Sequence, residues 1–435
     1  MSKSKRSLGP RLAVAMSCAA ALIAMAGLTL VSPGIVSGGS NPGPDVIVFN
    51  VSGTTNHGSS GGFRGYSIGT TSCNLGNQPL WWCNDAGDTF CNVNQHPVIA
   101  QNMFRLKDGR FEQIGMSWLK HGFTSLNSPN AECGTCVQPP HGGDQLGVGC
   151  TDPYGSSLNG SRPLGLRSEV NATTGDFPYP YTNVGSSAPY EQRVKVLETE
   201  LDPALNAGAR YFIEGHYIAA DDAAAGNDAN NASYREVSVN AGTFNLTLVG
   251  NTVRQEPAIF AWKAVDPNVE ILTLKVPGKF NETFHAARKV TSLGGGMFHY
   301  EYALHNLNSD RSARSFTAQF PGATNFSNVG FRDVDHHSGE PYDTTDWAVS
   351  MDTGAGTLSW STDDFATNPT ANALRWGTMF SFWFDADRGP ADLENSFGIY
   401  KAGLGDTVTF AFFGGFFQDG FESGNTAAWS ATDPP

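Results

Sequence analysis

The chain has 435 residues and a formal net charge of -14, and only 16% of its residues are charged. An acidic chain without clustered Lys and Arg is not built to bind nucleic acid or anionic lipid, because phosphate contacts need clustered positive charge. Its 50 glycines and 11% aromatic content point instead to a mainly β protein with many tight turns.

The N-terminus carries Lys3, Lys5, Arg6 and Arg11, then an apolar run from Leu12 to Val31. Basic residues before an apolar stretch read as a secretory signal, here residues 1–38 with cleavage near Gly38. The run is also long enough to act as an uncleaved anchor. No later apolar run is long enough to span a membrane. The rest divides into a linker (39–44), a Cys-containing β domain (45–250), a C-terminal β-sandwich domain (251–416) and a flexible tail (417–435). The expected architecture is two β-sandwich-like domains, the second immunoglobulin-like and the first disulfide-stapled and loop-rich.

Six cysteines follow the leader: Cys73, Cys83, Cys91, Cys133, Cys136 and Cys150. An even number in an exported chain reads as disulfides, with the pairing left open by sequence. Cys133, Cys136, His141 and Cys150 offer a second reading as a Cys3His zinc site.

In chain order, Asp45 to Val51 is the first strand. Trp81 and Trp82 lie among the first three cysteines, where a Trp pair either stacks on sugars or fills a small core. Phe104 to Met116 reads as a hairpin around Asp108-Gly109, a strong turn signal. His96 and His121 flank it as structural hydrogen-bonders. Tyr179 and Tyr181 alternate with Pro178 and Pro180, a pattern for an extended aromatic surface segment that lines a groove or covers a sheet. Glu191 to Leu201 alternates as a strand.

From Tyr211, alternation puts Phe212, Glu214, His216 and Ile218 on one face and Tyr211, Ile213 and Tyr217 on the other. Asp221, Asp222 and Asp228 follow in an acidic loop that suits a hard cation such as calcium, although the spacing is not that of an EF-hand. A second alternating run places Phe298, Tyr300, Tyr302 and Leu304 inward and His299, Glu301 and His305 outward. Residues 315–320 are expected to pair with it as a hairpin. Asn372 to Asp387 is the strongest strand signal, with Trp376, Phe380, Phe382 and Phe384 on one face. Residues 408–416 read as a closing strand.

The polar chemistry is densest from Phe331 to Trp347, which carries Asp333, Asp335, His336, His337, Glu340, Asp343 and Asp346. Three readings compete for it: a polar loop held by Asx-turns, a calcium-type cation site, or a catalytic centre.

Several segments resemble a family of uncharacterised secreted bacterial β-rich proteins with no established activity. They are QHPVIAQNMFRLKDGRFEQIGMSWLKHGF, QLGVGCTDPYGSSLNGS, YFIEGHYIAADDAAAGNDANNASY, HYEYALHNLNSDRS, DVDHHSGEPYDTTDW and NALRWGTMFSFWFDAD, spread over most of the mature chain. An aromatic often stands in that family where this chain has His336, so the resemblance favours His337 as the metal candidate. The segment DGFESGNTAAWS resembles a short C-terminal segment of otherwise unrelated secreted bacterial proteins, which implies a role in sorting or attachment.

The resulting expectation is a secreted cell-surface or extracellular-matrix protein that binds carbohydrate or another polymer. Trp81, Trp82, Tyr179 and Tyr181 are the binding candidates. Glu214, His216, Asp221, Asp222, Asp333, Asp335, His337 and Asp343 are the metal candidates, with calcium as the one cofactor considered. The alternative is a secreted hydrolase of polysaccharide, metal-dependent or using two carboxyls drawn from Glu169, Glu214, Asp335 and Glu340. No GxSxG, HExxH or phosphate-binding glycine loop is present.

Overall fold

The computed structural model describes residues 39–412 except 84–88, 279, 324 and 391–392. The leader and the C-terminal tail expected from the sequence lie outside the described residues. The chain is mainly β, and every strand pairing among the described residues is antiparallel.

The strands of two sheets interleave over residues 46–253, and those of two more over residues 270–412. Sheet I orders Val46–Ser60, Phe63–Asn74, Cys150–Tyr154 and Ser128–Pro129, with Val194–Leu197 also on the second strand. Sheet II orders Leu246–Val253, Ala232–Val239, Arg210–Ile218, Val98–Lys107 and Arg110–Met116. Sheet III orders Glu270–Lys275, Thr283–Gly294, Met297–Asn306, Thr378–Ala386 and Phe326–Arg332. Sheet IV orders Ala348–Asp352, Thr357–Ser361, Ala313–Gln319, Leu393–Ile399 and Thr407–Phe412.

Three apolar cores bind these sheets into layers. Val46 and Ile68 of sheet I meet Ile99, Met103 and Ile213 of sheet II. Tyr300 and Phe382 of sheet III meet Phe316, Trp360 and Phe397 of sheet IV. These are two sandwiches, and the third core joins them. Phe104, Phe111 and Phe212 of sheet II pack on Ala287, Ala303 and Met379 of sheet III, sealed by Trp262 of the helix Ile259–Val265.

That third core corrects one expectation. His299, Glu301 and His305 alternate outward from the C-terminal sandwich as anticipated, yet Glu301 and His305 are buried. Their face of sheet III is covered by sheet II, so alternation marks the face correctly but not what covers it. The other face of Arg210–Ile218 behaves in the same way, and Glu214 and His216 are buried against the joining core.

The Asp108-Gly109 turn is as expected: both residues have positive φ, 52° and 87°, and Lys107 pairs with Arg110. Other local expectations fail. Only Val194–Leu197 of the run 191–201 is a strand, and Glu198–Leu201 is a helical turn. Ala313–Gln319 does not pair with Met297–Asn306 but crosses to sheet IV. Trp376 lies before its strand and packs with Val98, Leu119 and Phe177, away from Phe380, Phe382 and Phe384.

All six cysteines pair: Cys73–Cys133, Cys83–Cys91 and Cys136–Cys150. The zinc reading is therefore wrong, since its three thiols are consumed. His141 instead stacks on Phe90, ring centres 4.5 Å apart.

Candidate functional site: an ion-paired cleft where the two sandwiches meet

The hairpin turn at Asp108-Gly109 carries Arg110 and Glu112 toward the lower end of sheet III. Together with Val194–Leu197 and residues 331–346, this hairpin encloses a cleft of about 610 Å³. Its lining carries both signs of charge: Arg105, Arg110, Lys195 and Arg332 against Glu112, Glu200, Asp333, Asp335 and Asp346.

Most of these charges are already paired. Arg105 binds Glu112 at 2.7 Å and also Glu200. Arg332 reaches Glu200 at 3.2 Å and Glu112 at 3.6 Å. Arg110 donates twice to the buried carboxylate of Glu301, both at 2.8 Å, and its guanidinium stacks 3.4 Å from the centre of the Trp383 ring. Such buried pairs cost desolvation, so they hold a defined geometry more than they add stability. Beneath the lining, two buried donors have no protein acceptor: Nε2 of Gln113 and Nε of Arg105. The Gln113 oxygen is used, accepting from the Met379 backbone at 2.7 Å, so its amide is held by sheet III.

The stretch 331–347 serves two ends. Phe331 to Asp335 and Asp346 line the cleft, while the middle docks on the N-terminal sandwich. His337 Nε2 donates to the Met116 carbonyl at 2.8 Å. Glu340 accepts from the backbone N–H groups of Arg167 at 2.8 Å and Ser168 at 3.2 Å. Burial pushes His336 down to about 3 and His337 to about 4, so both rings are neutral. Burial raises the Asp333 carboxyl, opposed by its hydrogen bond from Asn372 and reinforced by the charges of Asp346 and Asp335.

The metal candidates are not brought together. Glu214 accepts from Asn102 at 2.7 Å and from the Ala258 backbone at 2.6 Å. His216, beside Trp376, is held near 3 by burial and then by the charge of Arg167. Asp221 accepts from the Trp81 backbone at 2.8 Å, and Asp222 from Val46 at 2.9 Å and Asn231 at 2.7 Å. Asp333 is held by Asn372 and Asp343 by Asn368. Asp335 is exposed at the cleft. Among the described residues, no group of three or more His, Cys, Asp or Glu could hold a metal ion. The acidic loops use their carboxylates on backbone and amide N–H groups, the alternative that acidic turns always have.

The aromatic candidates also lie apart from the cleft. Trp82 is fully buried against His96 and Tyr217. Trp81 is half-buried against His141 and Phe90. Tyr179 is exposed and stacks on His121 at 4.3 Å, with Tyr181 beside it. Of the carboxyl candidates, Glu169 accepts from the Thr182 backbone at 3.2 Å and is not part of the cleft.

Sequence reading missed Arg105, Arg110, Glu112, Glu200, Arg332 and Trp383. One signal was available: charged residues sit at alternate positions of a hairpin whose other residues are apolar, which is costly unless they meet partners.

No family model and no curated protein matches the sequence. Among solved structures, the chain is similar to the C-terminal domain of the Streptococcus pyogenes antigen I/II-family protein AspA, with 10% identity and a TM-score of 0.17 over 86% of this chain and 99% of that one. It is also similar to a partial N-terminal region of enterococcal surface protein, with 8% identity and a TM-score of 0.17 over 88% and 97% of the two chains. Likeness at this level carries no argument about fold or function.

Proposed function

We propose that this chain is an exported protein that works outside the cell or at its surface and binds a neutral polysaccharide in the cleft. The three disulfides support the location, because such bonds persist in oxidising compartments. The cleft chemistry carries the binding reading: Arg105, Arg110 and Arg332 are paired with Glu112, Glu200 and Glu301, while Asp333, Asp335, Asp346 and Lys195 line it as further polar groups. A strongly charged ligand would have to break those ion pairs. A chain of hydroxyls, each a donor and an acceptor, can use both signs at once. The reading requires no bound cation.

The test is retention of the folded mature chain on a panel of insoluble polysaccharides, alongside Arg110→Ala. Retention that falls about tenfold or more in the variant supports the cleft, a loss of at least ~1.4 kcal/mol. No retention on any polysaccharide, with the chain folded, refutes it.

Asp333 favours a second reading, hydrolysis of the bound polymer. A carboxyl raised by burial, with Asp346 and Asp335 adding to the rise, has the character of a general acid in a cleft that holds further carboxyls. Release of new reducing ends by the wild type, abolished in Asp333→Asn, would establish it; retention without release would leave binding alone.

A further inference from the structure

A second polar cluster lies away from the cleft, at the edge of sheet III. Lys275 ends the edge strand Glu270–Lys275, and its register partner is Thr283. Its Nζ donates to the side-chain oxygen of Asn281 and to the Thr283 hydroxyl, each at 2.6 Å. On its other side, the Asn281 amide nitrogen donates to Asp228 Oδ1 at 3.3 Å. Asp228 comes from a distant segment, after the helix Ala220–Ala225, and is 4% exposed. Its other oxygen accepts from Asn308 at 2.5 Å. Asn308 is fully buried; it also donates to the Asn281 carbonyl at 3.1 Å and accepts from the Thr283 backbone at 2.8 Å. The Asn281 side chain is thus met by an amine at its carbonyl end and by a carboxyl at its nitrogen end.

We propose that Lys275, Asn281 and Asp228 form a self-catalysed cross-linking site, where the lysine amine displaces ammonia from the asparagine side chain and leaves an amide bond joining the edge strand to the start of its neighbour.

The reaction is an acyl transfer and balances without a co-reactant. The neutral Lys275 amine attacks Cγ of Asn281, and the Nζ–Cγ bond forms. Asp228 delivers a proton to Nδ2, the Cγ–Nδ2 bond breaks and ammonia departs. The proton lost by Nζ restores the Asp228 carboxyl. An amide is a poor electrophile and its nitrogen a poor leaving group, so the step needs an acid at that nitrogen and an amine held beside the carbonyl. The environment supplies both. Burial holds the Asp228 carboxyl up near 6, despite its hydrogen bonds from Asn281 and Asn308, which favours its acid form. Partial burial lowers the Lys275 ammonium below its usual value, against the opposing charge of Asp228. Asn308 is a positioning residue, since it holds Asp228 and the Asn281 backbone together.

Sheet III has a reason to need such a staple. Among the described residues, Glu270–Lys275 pairs with a strand on one side only, and edge strands fray or pair with other chains unless they are held. A covalent link at its last residue would fix its register with the neighbouring strand.

The experiment is intact-mass measurement of the purified full chain after reduction, followed by a tryptic map. The expected result is a mass lower by one ammonia. The map should show no cleavage after Lys275, and the peptide ending at Lys279 should remain joined to the one starting at Phe280. Asp228→Ala, checked for folding by its melting transition, should carry the full mass and give separate peptides. An unmodified wild-type mass with cleavage after Lys275 overturns the proposal. A link that forms equally well in Asp228→Ala removes the acid from the mechanism and overturns that assignment.

Discussion

The guanidinium of Arg110 lies 3.4 Å from the centre of the Trp383 ring, and the indole in turn rests over Gly330 of the neighbouring strand. This stack forms one wall of the cleft and ties the N-terminal hairpin to sheet III. A Cβ at residue 330 would stand 2.1 Å from Trp383 Cε2, closer than any real contact. Gly330→Ala should therefore push the indole and Arg110 out of place. We expect a loss of about 1–3 kcal/mol, read from the urea midpoint, as for other overpacked sites. Retention on polysaccharide should fall with it.

His299 sits behind that wall. Its Nε2 lies 2.8 Å from Glu301 Oε1 and its Nδ1 2.5 Å from Asp385 Oδ1. Only an imidazolium donates on both sides, and the two carboxylates, Glu301 first, raise its pKa against the opposing effect of burial. Arg110 on the hairpin, Asn328 on the strand beyond Asp385, and Lys289 opposite Glu301 complete its surroundings. A histidine with a raised folded pKa stabilises the fold fully below its unfolded value near 6.5, and this contribution is lost as pH rises through the folded value. Urea midpoints of wild type and His299→Gln should therefore differ most at acid to neutral pH and converge above it. A constant difference from pH 5 to 9 would refute the imidazolium.

The joining core makes the opposite prediction. Both ring nitrogens of His216 are buried without a partner, and burial lowers the ring to about 3. The unfolded chain then binds the proton more readily, so stability is lost as pH falls below 6.5 toward the folded value. At pH 5 the loss from this one ring is about 2 kcal/mol relative to pH 8. Buried carboxyls such as Asp221 and Asp228, raised to about 6, act in the other sense, because the folded state holds their protons. The comparison of His216→Leu with wild type isolates the histidine: the variant should be the less acid-sensitive of the two by about that amount. Denaturant unfolding at the two pH values measures it.

Cys73–Cys133 spans a sequence separation of 60 and anchors sheet I to the loops that cover it. Replacing both cysteines with serine should cost about 2–5 kcal/mol, as for native disulfides generally. The change should appear as a lower melting temperature under non-reducing conditions.

How much was legible depended on range. The alternation of residues 211–218 and 298–305 assigned every side chain to its face correctly, because the pleat is a local property of the backbone. The same alternation called His299, Glu301 and His305 outward and was mistaken about their cover. A polar residue facing away from one core looks solvent-facing until a second sheet supplies its partner. The stretch 331–347 was rightly singled out as dense in polar groups. Its purpose was not readable, since Glu340 meets Arg167 and Ser168 and His337 meets Met116, all far away in sequence.

By itself the sequence determined the β class, the hairpin at Asp108-Gly109, the export-compatible cysteine set and the alternating faces. These rest on backbone preferences and side-chain periodicity that act over a few residues. Only the tertiary structure decided which cysteines pair, that the acidic loops bind amides, and that Arg110, Trp383 and Asp333 share a cleft. Those outcomes depend on how four sheets stack, and the stacking is chosen by the burial of whole faces against one another, which no local pattern encodes.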